Sequence, residues 1–154
     1  MLERIASFSV DHDRLQKGMY VSRVDGDVVT YDIRMKLSNT GDYLTPAQVH
    51  TIEHLFATYA RNTGLSPGVV YVGPMGCRTG FYLLTRDTIS REEALELVRD
   101  SMRFIASFDS PMPGGARKEC GNYLDHDLPG ARAVAEDYLS ALRDWDAARM
   151  EYEG

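Results

Sequence analysis

The five residues His50-Thr51-Ile52-Glu53-His54 constrain this chain more than any other stretch, because two imidazoles four residues apart, with a carboxylate between them, converge on one face of a helix. At roughly 100° per residue, His50, Glu53 and His54 fall within about 100° of one another, while Ile52, Leu55, Phe56 and Tyr59 gather on the opposite side. One face of this helix is therefore expected to pack and the other to hold a divalent metal. The order H-x-x-E-H inverts the H-E-x-x-H of zinc peptidases. In both, the carboxylate stands beside the metal as general base or acid without ligating it. An amphipathic helix with an ordinary polar face would carry the same pattern, so the rest of the chain has to decide.

Its surroundings favour a helix built to order. Thr45-Pro46 supplies a capping hydroxyl and a proline at the first helical position, and Gly64 follows the expected end near Asn62. Before it, Met19 to Arg23 and Val28 to Lys36 read as two strands joined at Asp25-Gly26-Asp27, a hairpin and so antiparallel. In the second strand Val29, Tyr31, Ile33 and Met35 alternate with Thr30, Asp32, Arg34 and Lys36, which points Arg34 away from the core, beside Asp32 as a cross-strand ion pair would be. Ser7 to His12 reads as an edge strand or an extended arm. After the turn at Ser66-Pro67-Gly68, Val69 to Val72 and Phe81 to Thr85 read as two further strands, separated by the glycine-rich link Gly73 to Gly80.

Ser90-Arg91-Glu92-Glu93 is a capping box, and Leu95, Val98, Met102 and Ile105 continue at helical spacing. Asp109 to Gly115 is loop, Cys120 to Tyr123 is irregular, and Pro129 opens a last helix with Val134, Tyr138, Leu142 and Trp145 as its inner stripe; the acidic tail after Ala148 is expected to fray. The layout is α+β: a single domain, 1–154, with an antiparallel sheet covered on one face by helices and the metal helix at the centre.

A catalytic metal normally takes three protein ligands and leaves one position open, so a third is needed beside His50 and His54. Cys120, next to a glycine, is the natural choice, although a buried inert thiol would look the same. Cys77 sits between glycines 76 and 80 in a turn that can project its sulfur, with Arg78 adjacent to favour a thiolate. On local pattern alone His12 and His126 read as surface residues. The net charge of −6 and the scattered Lys and Arg argue against a nucleic-acid partner, and no apolar run approaches the ~20 residues that span a bilayer. With no leader-like amino terminus, the expected place is the cytoplasm, where Cys77 and Cys120 stay free or ligate metal.

The blocks His50-Thr51-Ile52-Glu53-His54-Leu55, Pro74 to Tyr82, Cys120-Gly121-Asn122-Tyr123 and Asp125-His126-Asp127-Leu128 resemble the S-ribosylhomocysteine lyase (LuxS) family. So do Ser7-Phe8 with Asp11-His12 and Tyr31-Asp32-Ile33-Arg34, and the resemblance runs in order over nearly the whole chain. It implies a homodimer with active sites at the subunit interface that splits S-ribosylhomocysteine into homocysteine and 4,5-dihydroxy-2,3-pentanedione, the autoinducer-2 precursor. It further implies ferrous iron (Fe2+), replaceable by Zn2+ or Co2+, on His50, His54 and Cys120, with Cys77 and Glu53 as proton carriers. Ser7, His12 and Arg34 would hold the ribose from the partner subunit, and Arg61 the homocysteine end. This chain departs from the family pattern at Tyr71 and Gly73, where an acidic residue and a serine are usual, and lacks the usual proline before Asn39. Two other readings use the same residues: a metal-dependent amidohydrolase, which leaves Cys77 without a role, and a closed structural metal site, which leaves Glu53 without one.

Overall fold

The computed structural model describes residues 2–152. Gly18–Asp25 (β1) and Val28–Arg34 (β2) form the expected hairpin, with Asp25 opposite Val28. Of the two loop residues only Gly26 has a positive φ, 60°, a conformation that costs nothing where there is no Cβ. Val69–Pro74 (β3) and Gly80–Arg86 (β4) pair antiparallel, and the strand order is β1-β2-β4-β3. The pairing brings Met19, Ile33, Phe81 and Pro74 into one row and Val21, Tyr31, Leu83 and Val72 into another, on the face that carries the core. Between them Tyr20, Asp32, Tyr82 and Gly73 form a row on the opposite face.

Three helices cover the apolar face. Pro46–Arg61 (α1) starts at Thr45, whose side chain accepts from the Gln48 amide at 3.2 Å while the Gln48 side chain accepts from the Thr45 amide at 2.9 Å. That closes a capping box beyond the hydroxyl and proline read from the sequence. Arg91–Ala106 (α2) begins with the expected Ser90–Glu93 box, and Leu128–Ala141 (α3) is capped by Asp127 on the Gly130 amide. Helix α1 packs on β3 and meets both other helices, so it is central as expected. Its buried Ile52, Leu55 and Phe56 face the core, with the Phe56 ring 6.2 Å from that of Phe81; burial of each such side chain contributes about 1.5–3 kcal/mol. No helix among the described residues is long and apolar enough to cross a membrane.

The chain departs from the expected layout in three places. Ser7 lies in a short 3-10 turn, Ala6–Phe8, rather than in an edge strand. Arg34 does point away from the helical core, but it is only 3% exposed, and its ion pair with Asp32 runs along one strand rather than across two. Alternation says which face a side chain takes, not what lies on that face. The tail does not fray as far as Tyr152. Trp145 and Leu142, past the end of α3, remain buried; Trp145 Nε1 donates to the Met19 carbonyl at 2.8 Å, and the Val21 amide donates to Met150 O at 2.7 Å. Tyr152 then reaches Asp32 on the other face. The last described residues are thus a strap that passes from the helical layer around the β1 edge.

Candidate active site

The turn spacing of α1 puts His50 and His54 side by side, their rings 4.6 Å apart, and neither ring is left to choose its tautomer. His50 Nδ1 donates to the Asp125 carbonyl at 2.7 Å and His54 Nδ1 to the Pro113 carbonyl at 2.8 Å, so both Nε2 atoms keep a lone pair. Both lone pairs meet the sulfur of Cys120, at 3.3 Å and 3.9 Å. Metal–sulfur and metal–nitrogen bonds of about 2.3 and 2.05 Å at a tetrahedral angle would hold these atoms about 3.6 Å apart. The three donor atoms lie within 4.8 Å of one another, and the carbonyl–imidazole pairs are the kind of outer contact that orients a ligating histidine. The residues therefore fit a divalent metal. The Asn122 amide approaches Cys120 Sγ at 3.5 Å, a donor to the sulfur that favours its ligand role.

Glu53, one turn behind His50, opens into a cavity of about 380 Å³ with His54, Thr58, Arg61, Tyr71 and Gly114 on its walls. Arg61 reaches this cavity, but its two terminal nitrogens donate to the Val69 and Val70 carbonyls at 2.6 and 2.8 Å, tying the end of α1 to β3. Tyr71, 52% exposed, lays its ring over Gly73: a Cβ at 73 would stand 2.3 Å from it. Tyr71 and Gly73 are thus one structural unit.

Cys77 is on the other side of the sheet, in the link between β3 and β4. It is exposed and lines a cavity of about 340 Å³ together with Ser7, His12, Arg34 and Tyr152. The link is shaped differently from the sequence reading. Left-handed backbone falls on Arg78 (φ 60°), and the Arg78 guanidinium donates to the Leu44 carbonyl at 3.1 Å. Gly80 is there for close approach, since a Cβ would stand 1.9 Å from the Ile33 carbonyl oxygen. The side chain that does touch Cys77 is Thr79, its hydroxyl 3.0 Å from the sulfur and 2.7 Å from Arg34 Nη1. His12 Nδ1 donates to the Val10 carbonyl at 2.9 Å, which leaves Nε2 free.

The structure thus gathers His50, His54 and Cys120 at one place, Glu53 and Arg61 at a cavity beside it, and Ser7, His12, Arg34 and Cys77 at another. Among the described residues none lines both cavities. Sequence pattern alone passed over His126, whose ring stacks on His50 at 4.2 Å and whose Nδ1 lies 2.9 Å from Thr51 Oγ1. Burial, then His50 and His54, hold its imidazole below the ordinary value. Its place just before Asp127, the cap of α3, was the available signal. Thr79 and Tyr152 gave none, because Arg34 and Asp32, the partners that define their roles, lie 45 and 120 residues away in sequence.

Fold and site together define an α+β protein with a His2Cys donor set, two histidines on its central helix and a cysteine from the irregular stretch between α2 and α3. The S-ribosylhomocysteinase (LuxS) family model matches residues 5–149, and the chain belongs to that family. It is 46% identical to the S-ribosylhomocysteine lyase of Clostridium acetobutylicum over 98% of this chain and 99% of that one. With the lyase of Phocaeicola vulgatus it shares 49% over 90% of this chain and 89% of the other, and with that of Borreliella burgdorferi 40% over 98% and 99%.

Proposed function

We propose that this protein cleaves S-ribosylhomocysteine to homocysteine and 4,5-dihydroxy-2,3-pentanedione. The observation that carries the reading is the triangle of His50 Nε2, His54 Nε2 and Cys120 Sγ, with both imidazoles locked as lone-pair donors by backbone carbonyls. Two imidazoles and a thiolate suit Fe2+, with Zn2+ or Co2+ able to replace it. Bound there, the metal supplies Lewis acidity that stabilises negative charge developing on a substrate oxygen.

The thioether leaves C5 only once a carbonyl stands at C3, two carbons away. The ribose ring must therefore open to the C1 aldehyde, and the carbonyl must migrate twice. Cys77 takes the proton from C2 and returns it to C1, then takes the one from C3 and returns it to C2. Glu53, on the opposite side, moves the matching protons among the oxygens. In the last step Glu53 takes the C4 proton as the C4–C5 double bond forms and the C5–S bond breaks. The departing sulfur gains a proton through Glu53, and the enol left behind becomes the dione. Ser7, His12 and Arg34 hold the ribose hydroxyls, and Arg61 places positive charge where the amino-acid end of the substrate lies.

Cys77 and Glu53 open into cavities that share no wall residue among the described residues, and Ile5, Phe8 and Leu124 stand exposed at 54, 71 and 78%. Both facts support a homodimer in which each site takes Cys77, Ser7, His12 and Arg34 from one subunit and the metal ligands with Glu53 from the other. We place the reaction in the cytoplasm, with no nucleic acid as partner.

The test is free-thiol release from S-ribosylhomocysteine by anaerobically purified, iron-loaded protein beside Cys77→Ala and Glu53→Gln. Release by wild type, lost in both variants while metal stays bound, is the expected result. No release from a correctly metallated dimer would sink the proposal.

A further inference from the structure

Asp32 and Arg34 form an ion pair that is 1% and 3% exposed, on the sheet face the helices do not cover. Buried charge is unfavourable unless hydrogen bonds complete it. Here the completion is lopsided: Asp32 Oδ1 and Arg34 Nε have no hydrogen-bond partner among the described residues, and the pair hangs on Asp32 Oδ2. That oxygen accepts from Arg34 Nη2 at 2.7 Å and from Tyr152 Oη at 2.7 Å. The other arm of the guanidinium, Nη1, donates to Thr79 Oγ1 at 2.7 Å, and Thr79 Oγ1 lies 3.0 Å from Cys77 Sγ.

The polarity of this chain is fixed by chemistry. A guanidinium only donates, so Thr79 accepts from Arg34 and keeps one hydroxyl proton to give. Two sulfurs are in range, Cys77 Sγ at 3.0 Å and Met75 Sδ at 3.8 Å, and the nearer takes it. Thr79 is the donor and Cys77 the acceptor, a role that a thiolate fills better than a thiol.

We propose that Tyr152, on the carboxyl-terminal strap, is a positioning residue for Cys77. Its hydroxyl steadies the Asp32 carboxylate, which orients Arg34, which in turn holds Thr79 as the donor to the Cys77 sulfur. The reactive sulfur is thus set by a residue 75 positions away in sequence, carried around the edge of β1. Cys77 as proton carrier rests on the lyase reading; the hydrogen-bond chain does not.

The test compares Tyr152→Phe, Thr79→Val and Thr79→Ser in metal-loaded protein. Alkylation of Cys77 by iodoacetamide is followed on its peptide by mass spectrometry, beside kcat and KM for S-ribosylhomocysteine. Loss of a hydrogen bond to a charged sulfur should slow alkylation about tenfold in Thr79→Val, and loss of its remote support about threefold in Tyr152→Phe. Thr79→Ser, which restores the hydroxyl, should recover most of the rate, and kcat should fall with alkylation while KM stays. Tyr152→Phe protein that alkylates and turns over like wild type overturns the proposal, as does one whose only change is a lower unfolding temperature. Wild type that releases no thiol would remove the lyase reading alone, because the ranking of alkylation rates does not depend on turnover.

Discussion

The ring of Tyr71 lies against Gly73 so closely that a Cβ at 73 would stand 2.3 Å from it, and the two residues behave as one unit at the wall of the Glu53 cavity. Gly73→Ala should therefore push the ring outward and lower stability by about 1 kcal/mol, the cost of forcing extra volume into a packed contact. In a Tyr71→Ala background the same change should cost nearly nothing. Urea unfolding of the four proteins reads this coupling directly; equal costs in both backgrounds would mean the ring and the glycine are independent.

Metal content should follow the donor triangle. His54→Ala and Cys120→Ala each remove one of three ligands, and both should fall from one metal per chain to a small fraction of that, measured by elemental analysis after dialysis. Glu53→Gln keeps the triangle whole and should retain its metal. Its kcat should nevertheless fall by about 10²–10⁴, the usual contribution of a positioned acid/base.

Mixing two inactive proteins gives a sharper result. If Cys77 and Glu53 of one working site come from different subunits, a mixed dimer of Cys77→Ala and Glu53→Gln chains holds one site with both defects and one with none. Random exchange should then restore about a quarter of wild-type thiol release, since a symmetric dimer carries two equivalent sites. Sites contained within single chains would restore none.

Gly18 lies under Trp145, and a Cβ there would stand 2.3 Å from the indole. That indole is held by Met19 O and by the Arg149 guanidinium 4.1 Å above its ring, so it has little freedom to move. Gly18→Ala should destabilise the protein by about 2–3 kcal/mol, a strong case of overpacking, seen as a lower urea midpoint with an unchanged slope.

The alkaline limb of stability should carry a tyrosine signature. Burial, and then the Asp32 carboxylate, push the Tyr152 phenol well above its ordinary value. Below about pH 10 the phenol is protonated in both folded and unfolded chains, and its contribution is intact. Above that pH the unfolded chain loses the proton first, so stability falls as pH rises, by roughly 1.4 kcal/mol per pH unit for each such group. Tyr152→Phe should flatten this slope by one group, leaving those of Tyr31, Tyr82 and the fully buried Tyr138, whose phenols burial also raises.

How much was legible in the sequence follows from how local each signal is. The capped helices, the Asp25-Gly26-Asp27 hairpin and the His50 and His54 pair are written in residues within a turn or two of each other, whereas Cys120, 66 positions beyond His54, was a candidate through its glycine neighbour and the family resemblance and not through any local spacing. The burial of Arg34 was not legible, because alternation in β2 assigns a face and says nothing of Tyr152 and the amino-terminal turn that close over it. Arg78 looked like the partner of Cys77 by adjacency, yet its left-handed backbone sends the guanidinium to Leu44, and Thr79 takes the sulfur. Arg61 was legible as a cation near the metal helix, but not as a clamp on β3. The tail read as frayed because its charges are solvent-like, while Trp145, Met150 and Tyr152 between them are anchored to β1 and β2.

That anchored tail also guards one border of the sheet. Strand β1 lies at the border of the sheet, where an unpaired row of amides would invite another chain to add a strand. Met150 O takes the amide of Val21, and Tyr138 and Trp145 donate to the Gly18 and Met19 carbonyls. A neighbouring strand could pair with β1 here only by displacing these contacts, so the strap that closes over Arg34 also protects an open border of the sheet.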